Sequence, residues 1–322
     1  MIDPQEFAQA QSGRSAMYRL IEKLFAAPLS QADLDALTRA NLPALACGSP
    51  RAEHGLREMA RFLQACDSGT REALARDYTS AFHGVQSIGG RMALPYESAH
   101  QGESQQLMGA ARGKVLNVFK KQALKLDAGI DLPEDHLAFL CEFMAAMAQR
   151  TAASFSAGDV DKTCESLRLQ RAFLRSHILS WYEHFAKLAA RIVDEPFYCG
   201  ALDAAGGFFA LDAAALDDML ADLGAPEEPF DLAWWETPPT TPGMPHASDS
   251  RASDSRASDG RVRIRRGRCI RKRGDTCSRC VAACPRGLDP FEMSTTRIRA
   301  DCTGCGLCVK ACPTQALSLK HR

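Results

Sequence analysis

Apolar residues recur every three or four positions through most of the first 236 residues, a spacing that predicts amphipathic α-helices. The clearest stripes cover residues 17–25, 34–37, 116–124, 137–147 and 173–188. Pro28 ends the first stripe, and Ser30 is placed to cap the helix that follows. Pro133, ahead of two acidic residues, is expected in the first turn of the helix over 137–147. Strand-like alternation is scarce, so we predict an all-α helical bundle.

The composition changes abruptly after the helical stripes. Prolines cluster at 238–245, and near-repeats of Ala-Ser-Asp-Ser-Arg then run to Gly260. These repeats contain no apolar side chain larger than alanine, so they cannot bury surface against a core. The sequence therefore predicts a helical domain at 1–236, a flexible tether at 237–262 and a small domain at 263–322.

Charge separates the two domains. Residues 261–322 hold 15 Lys and Arg against four Asp and Glu, a net charge of +11; the whole chain has 39 of each sign, so the remainder holds 24 against 35, a net charge of −11. Opposite charges suggest modules with different partners. The N-terminus lacks the pattern of a secretory signal, and we expect no apolar run of membrane-spanning length. The prediction is a cytoplasmic protein without membrane insertion.

Eight of the 13 cysteines fall in the C-terminal domain, in two ordered runs. The runs are Cys269-x7-Cys277-x2-Cys280-x3-Cys284-Pro and Cys302-x2-Cys305-x2-Cys308-x3-Cys312-Pro. Two-residue steps let one loop wrap three corners of an iron–sulfur cubane, and the three-residue step carries the fourth cysteine toward a second cluster. Zinc ribbons use paired CxxC knuckles, and disulfides need an oxidising compartment, so both explain the pattern less well.

These runs resemble the ligand pattern of two-cluster bacterial ferredoxins, which implies a small α+β domain of βαββαβ topology and two [4Fe-4S] clusters. The implied ligands are Cys269, Cys277, Cys280 and Cys312 for the first cluster and Cys302, Cys305, Cys308 and Cys284 for the second. Seven residues separate Cys269 from Cys277, where the short ferredoxin form has two. If Cys269 is not a ligand, the first cluster keeps three thiolates and is labile.

A set of short motifs in the helical domain follows another pattern. It reads Tyr78-x3-Phe82, Pro95-Tyr96-Glu97-Ser98, Leu107-Met108-Gly109, Pro133-x-Asp135-His136, Phe143-Met144, Phe173-Leu174-x2-His177-x3-Trp181-x3-Phe185 and Phe197-Tyr198. In this order the motifs resemble the TorD/DmsD family of cytoplasmic chaperones. Glu134 is a departure, because it separates Pro133 from Asp135 where the family runs Pro-Asp-His together.

The resemblance implies a chaperone dedicated to a molybdenum or tungsten oxidoreductase. Such a protein binds the twin-arginine signal peptide of the enzyme precursor, holds the precursor back from export and assists cofactor insertion. Two guanidinium groups followed by an apolar stretch require carboxylates beside an apolar groove. We assign signal-peptide and client binding to Tyr96, Glu97, Asp135 and His136. The groove is expected to use Tyr96, Leu137 and Leu140.

Other functions fit the sequence less well or stay open. The sequence has no P-loop or nucleophile motif, and its basic run lacks a nucleic-acid-binding module, so we expect neither an enzyme nor a nucleic-acid partner. A ferredoxin-type electron-transfer protein that serves a dehydrogenase or reductase through a helical docking domain stays open, as does an oxygen-responsive regulator. Signal-peptide affinity distinguishes the chaperone from the electron-transfer protein, because only the chaperone requires it. In the chaperone, the iron–sulfur module would exchange electrons with redox partners as an accessory activity.

Overall fold

The computed structural model divides the chain into two compact units, Met1–Gly243 and Met244–Arg322. In the first unit it describes residues 3–45, 48–101, 107, 109–124, 132–225 and 230–238. In the second it describes residues 261–264, 269, 271, 277, 279–284, 288–290, 307–312 and 316–320. The division falls inside the predicted tether, of which residues 239–260 lie outside the described residues. The predicted domain boundaries stay a prediction.

The described part of the first unit is built of α-helices with short 3-10 turns. In chain order they are α1 Pro4–Ala26, α2 Gln31–Arg39, α3 Pro50–Gln64, α4 Thr70–Phe82, α5 Ala110–Lys121, α6 Leu137–Ser156, α7 Val160–Phe173, α8 Ser180–Ala189, α9 Pro196–Asp222 and α10 Leu232–Glu236. Ser30 caps α2 as predicted, because its hydroxyl accepts from Asp33 N over 3.2 Å. The helical class predicted for this part is confirmed.

Helices α3 and α9 cross so closely that their backbones touch. A Cβ on Gly200 would lie 2.8 Å from Gly55 O, and a Cβ on Gly55 would overlap both Gly200 O and Ala204 N. Farther along α9, a Cβ on Gly207 would run into the backbone of Ala52. Close-packed interiors leave no room for such atoms. Glycine at these positions therefore lets the two helices approach to backbone contact.

Helix α9 is, among the described helices, the one long and apolar enough to cross a membrane by length and composition. By this measure the prediction of no such stretch is wrong. The most apolar 18-residue window of α9 is 61% buried inside the protein. Asp212 on α9 accepts hydrogen bonds from Arg14 Nε over 2.5 Å and from the Tyr18 hydroxyl over 2.7 Å. These are the contacts of a core helix.

Two helix boundaries differ from the sequence predictions. Helix α6 begins at Leu137 with His136 as its N-cap, so the prediction that Pro133 lies in its first turn is wrong. The reason is that His136 is held in an extended conformation by a bridge to Tyr96. The stripe over 173–188 is helical, but a π-helical turn at Leu174–Leu179 joins α7 to α8 within it.

The second unit contains a two-stranded antiparallel sheet. Strand β1, Arg261–Ile264, pairs with β2, Leu317–Lys320, and two short helices, α11 Arg279–Ala282 and α12 Leu307–Lys310, lie between them in the chain. Strand β1 begins within the last residues assigned to the tether. Residues 291–300, where βαββαβ topology requires its central strands, lie outside the described residues. The ferredoxin-like topology therefore stays a prediction.

Candidate functional site

The two loop segments that carry the predicted client-binding residues are joined to each other. Tyr96 and His136 form an isolated antiparallel bridge. Glu97 N donates to Asp135 O over 3.0 Å, and Leu137 N donates to the carbonyl that precedes Tyr96 over 2.8 Å. The structure therefore brings all four predicted residues into one site at the N-terminus of α6.

Asp135 is a buried carboxylate with one oxygen in use. Its side chain is 0% exposed, and its Oδ2 accepts from Ser98 N over 2.9 Å. Its Oδ1 has no hydrogen-bond partner among the residues that the structure describes. Burial raises the pKa of the neighbouring Tyr96, and the negative charge of Asp135 raises it further. Asp135 Oδ1 thus remains available to a donor.

His136 serves the fold from inside the same site. Its Nδ1 accepts from Ala138 N over 3.1 Å and so caps α6, while its ring stands edge-on to Tyr96 at 4.7 Å. Burial lowers the pKa of His136 to about 3, and its electrostatic interaction with His83 adds to the effect. The imidazole is therefore neutral at physiological pH and acts as a hydrogen-bond acceptor.

Glu97 is buried and bonded on both carboxylate oxygens. Oε2 lies 2.8 Å from His177 Nδ1, in the π-helical turn, and Oε1 accepts from Gln101 Nε2 over 2.5 Å. The Gln101 side chain is itself exposed. Gln101 therefore reaches Glu97 from the surface of the protein, and its neutral amide occupies the outer oxygen of the carboxylate.

A second carboxylate, from the last described helix of the unit, lies beside His177. His177 Nε2 lies 3.4 Å from Glu236 Oε1, at the end of α10, and Glu236 Oε2 lies 2.8 Å from Lys114 Nζ. Burial lowers the pKa of His177, but its ion pairs with Glu236 and Glu97 outweigh this and the pKa is raised. The contact from Nε2 to Glu236 is an ion pair without hydrogen-bond geometry. The same contact to His177 holds the pKa of Glu236 at about 2. Below the usual imidazole pKa of about 6.5, His177 is therefore a cation between two carboxylates.

Burial changes the expected roles of the predicted residues. Glu97 and His136 are only 1% and 2% exposed, and Tyr96 is half-buried. Leu137 and Leu140, expected to line an apolar groove, are fully buried in the core, so that prediction is wrong for this conformation. Their side chains pack inward because α6 lies among the other helices of the bundle.

Three residues that complete the site have no role that the sequence predicts. Gln101, Lys114 and Glu236 match no motif, and each makes its contact only through the fold. His177 appeared in a motif but without a partner. A histidine within an apolar stripe is the signal that could have drawn attention to it, because a buried imidazole requires hydrogen-bond partners.

The structure describes six cysteines of the second unit, namely Cys269, Cys277, Cys280, Cys284, Cys308 and Cys312. Cys308 is buried with Val262 and Leu317, and Cys280 and Cys312 pack against this cluster. Cys312 Sγ accepts from Ala316 N over 3.2 Å, a bond to sulfur of the kind that tunes iron–sulfur clusters.

Cysteine sulfurs that lie together around one cluster suit iron–sulfur ligation in their donor chemistry. Among the described residues, no three His, Cys, Asp or Glu side chains are placed to hold a metal ion. Cys302 and Cys305 lie outside the described residues. The two ligand sets therefore stay a prediction.

The helical unit is similar to a known group of chaperones. A family model described as nitrate reductase delta subunit matches residues 48–187. The chaperone protein TorD of Aeromonas salmonicida is 30% identical over 217 residues, which cover 65% of this chain and 94% of that relative. The chain belongs to the TorD family. Other TorD chaperones, from Vibrio vulnificus and Shewanella amazonensis, are 25% and 28% identical over 97% of their lengths.

Membership of the TorD family agrees with two of the sequence predictions. The recognition of a TorD-like chaperone is confirmed. The relatives are named as chaperone proteins, which are not enzymes, and this supports the prediction that the chain is not an enzyme. The matched relatives correspond to about two thirds of the chain, so the C-terminal unit is an addition to what they share with it.

The C-terminal unit matches a second family model, described as 4Fe-4S binding domain, over residues 296–318. This range contains the whole second cysteine run, from Cys302 to Cys312. The prediction of an iron–sulfur-binding domain fused to a TorD-family domain is therefore confirmed. The first run, from Cys269 to Cys284, lies outside the matched range.

Proposed function

We propose that this TorD-family protein is a cytoplasmic chaperone for the maturation and export proofreading of a molybdenum or tungsten oxidoreductase, and that it binds the twin-arginine signal peptide of the precursor. The observation that carries the proposal is Asp135, a fully buried carboxylate whose Oδ1 has no partner among the described residues. A buried acceptor of this kind costs free energy unless a donor arrives.

A guanidinium group suits this site better than other donors do. It is planar, always charged and presents several N–H donors in a fixed geometry that matches carboxylates. At Glu97 it would replace the neutral Gln101 amide by a charge-assisted bond, which is about twice as strong. Tyr96, half-buried above Asp135, offers a ring against which an arginine can stack. His136 then acts as a positioning residue that fixes the start of α6.

The C-terminal unit is proposed to carry two [4Fe-4S] clusters and to transfer electrons as an accessory to client maturation. The crossed pattern assigns Cys269, Cys277, Cys280 and Cys312 to one cluster and Cys302, Cys305, Cys308 and Cys284 to the other. When bound, such clusters supply one-electron redox chemistry. The chain's own residues hold them through thiolates, and Ala316 N donates to one of the sulfurs.

The peptide-binding test compares the full-length protein with Asp135→Asn, under anaerobic conditions, by isothermal titration with a twin-arginine signal peptide. Asparagine keeps an oxygen to accept from Ser98 N but removes the charge, so we expect at least a tenfold loss of affinity, or about 1.4 kcal/mol. Glu72→Gln, on the exposed face of α4, is the matched control. Equal affinities for the wild-type and Asp135→Asn proteins would remove Asp135 from the site.

The client is to be identified by anaerobic affinity purification from the native cell. Recovery of an oxidoreductase precursor with its signal peptide intact is the result expected of a chaperone. Recovery of mature redox enzymes alone would instead favour the electron-transfer protein.

A further inference from the structure

The last described segment of the helical unit, residues 230–238, is here called the strap. It contains the five-residue helix α10, which begins after Asp231, whose carboxylate accepts from Trp234 N over 3.1 Å. Trp234 is 53% exposed, and no residue of α10 is fully buried. A helix this short is not stable by itself in water. The strap therefore depends on the surface beneath it.

The surface beneath the strap is one face of α5. Lys114 Nζ lies 2.8 Å from Glu236 Oε2, and Asn117 Nδ2 donates to Glu236 O over 2.8 Å. One turn farther along, Lys121 Nζ bonds to Trp234 O and lies 3.8 Å from the centre of the Trp234 ring. These contacts place the Glu236 carboxylate toward the interior of the domain, beside His177.

Glu236 closes a row of alternating charges that leads to the candidate peptide site. The order is Lys114 (+), Glu236 (−), His177 (+) and Glu97 (−), joined by contacts of 2.8, 3.4 and 2.8 Å. The four charges of the row sum to zero. The Asp135 carboxylate adds one negative charge, so the site as a whole has a charge of −1. Without Glu236, and with His177 kept protonated by Glu97, the row would carry +1 and cancel Asp135.

We propose that the strap completes the peptide site, because Glu236 cancels the charge of His177 and so keeps the Glu97–Asp135 region negative toward a cationic peptide. This inference rests on the proposed function. It makes Glu236 a specificity-determining residue that lies about 100 positions from Asp135 in the sequence yet acts on the same ligand.

The test uses the full-length protein at pH 6, where His177 is protonated, with two synthetic peptides. One is a twin-arginine signal peptide, and the other has both arginines replaced by glutamine. We expect Glu236→Gln to lose about tenfold in affinity for the twin-arginine peptide, or about 1.4 kcal/mol. It should lose little for the neutral peptide, because charge is the property that has changed.

A second variant separates charge from mere loss of strap contacts. Lys114→Gln breaks the same contact to Glu236 but removes a positive charge, so it should bind the twin-arginine peptide at least as tightly as the wild type does. Unchanged or tighter binding by Glu236→Gln would overturn the inference, as would equal weakening by both variants. If the wild-type protein fails to bind the twin-arginine peptide, the proposed function itself falls. Wild-type binding with an unaffected Glu236→Gln overturns the inference alone.

Discussion

The buried histidine at the start of α6 is expected to make the protein sensitive to acid. His136 has a pKa of about 3 in the folded chain and near 6.5 when unfolded. Between these values the unfolded chain binds a proton that the folded chain does not, so stability falls as the pH falls below 6.5. From pH 7 to pH 5 this difference amounts to about 2 kcal/mol. Protonation would also remove the Nδ1 acceptor that caps α6.

The substitution that isolates this effect is His136→Asn. Asparagine is a good N-cap and does not titrate, so the variant should lose about 2 kcal/mol less than the wild type between pH 7 and pH 5. Urea unfolding of both full-length proteins, followed by helical circular dichroism at several pH values, measures the difference. The same pH slope for both proteins would refute the argument. An imidazole that titrates near 6.5 by NMR would refute it directly.

Two further predictions concern packing and the cysteines. Gly55→Ala forces a Cβ into the backbone of α9 and should lower the free energy of unfolding by about 1–3 kcal/mol. Gly13→Ala has open space around it in α1 and should raise the free energy of unfolding by about 0.5–1 kcal/mol. Melting temperatures that shift in the same direction for both variants would contradict this. Cys308→Ala should lower the iron content of anaerobically purified protein by about half, because one of the two proposed clusters is lost. Cys66 is an exposed cysteine of the helical unit, so Cys66→Ala should leave the iron content unchanged.

The helical elements could be predicted from the sequence because their signals are local. The apolar spacing in α6 and α8 and the cap at Ser30 each depend on residues within a turn or two of each other. Helix α9 is apolar on nearly every face and so has no amphipathic stripe, and only the Phe197-Tyr198 motif at its start points to it. The start of α6 was misplaced because a contact with Tyr96, distant in the sequence, overrides the local preference of Pro133 for a helix start.

The sequence motifs predict which residues lie in the site but not how the site is packed. Tyr96, Glu97, Asp135 and His136 were expected together, and the structure does place them together. Their burial could not be predicted, because it depends on how elements pack around them. The pairing of His177 with both Glu97 and Glu236 joins three distant parts of the chain, and no spacing rule expresses such a contact.

The crossing of α3 and α9 has a consequence for the order in which the protein is made. Helix α9 resembles a membrane span in length and composition, and its apolar surface needs cover as soon as it leaves the ribosome. At a synthesis rate of about 5–20 residues per second, α3 leaves the ribosome roughly ten seconds before α9 does. Helix α3 is therefore present when α9 emerges. A chain that lacks α3 would leave uncovered the face of α9 that carries Gly200 and Gly207. The glycines of the crossing therefore allow a partner made earlier to cover that face as soon as α9 folds.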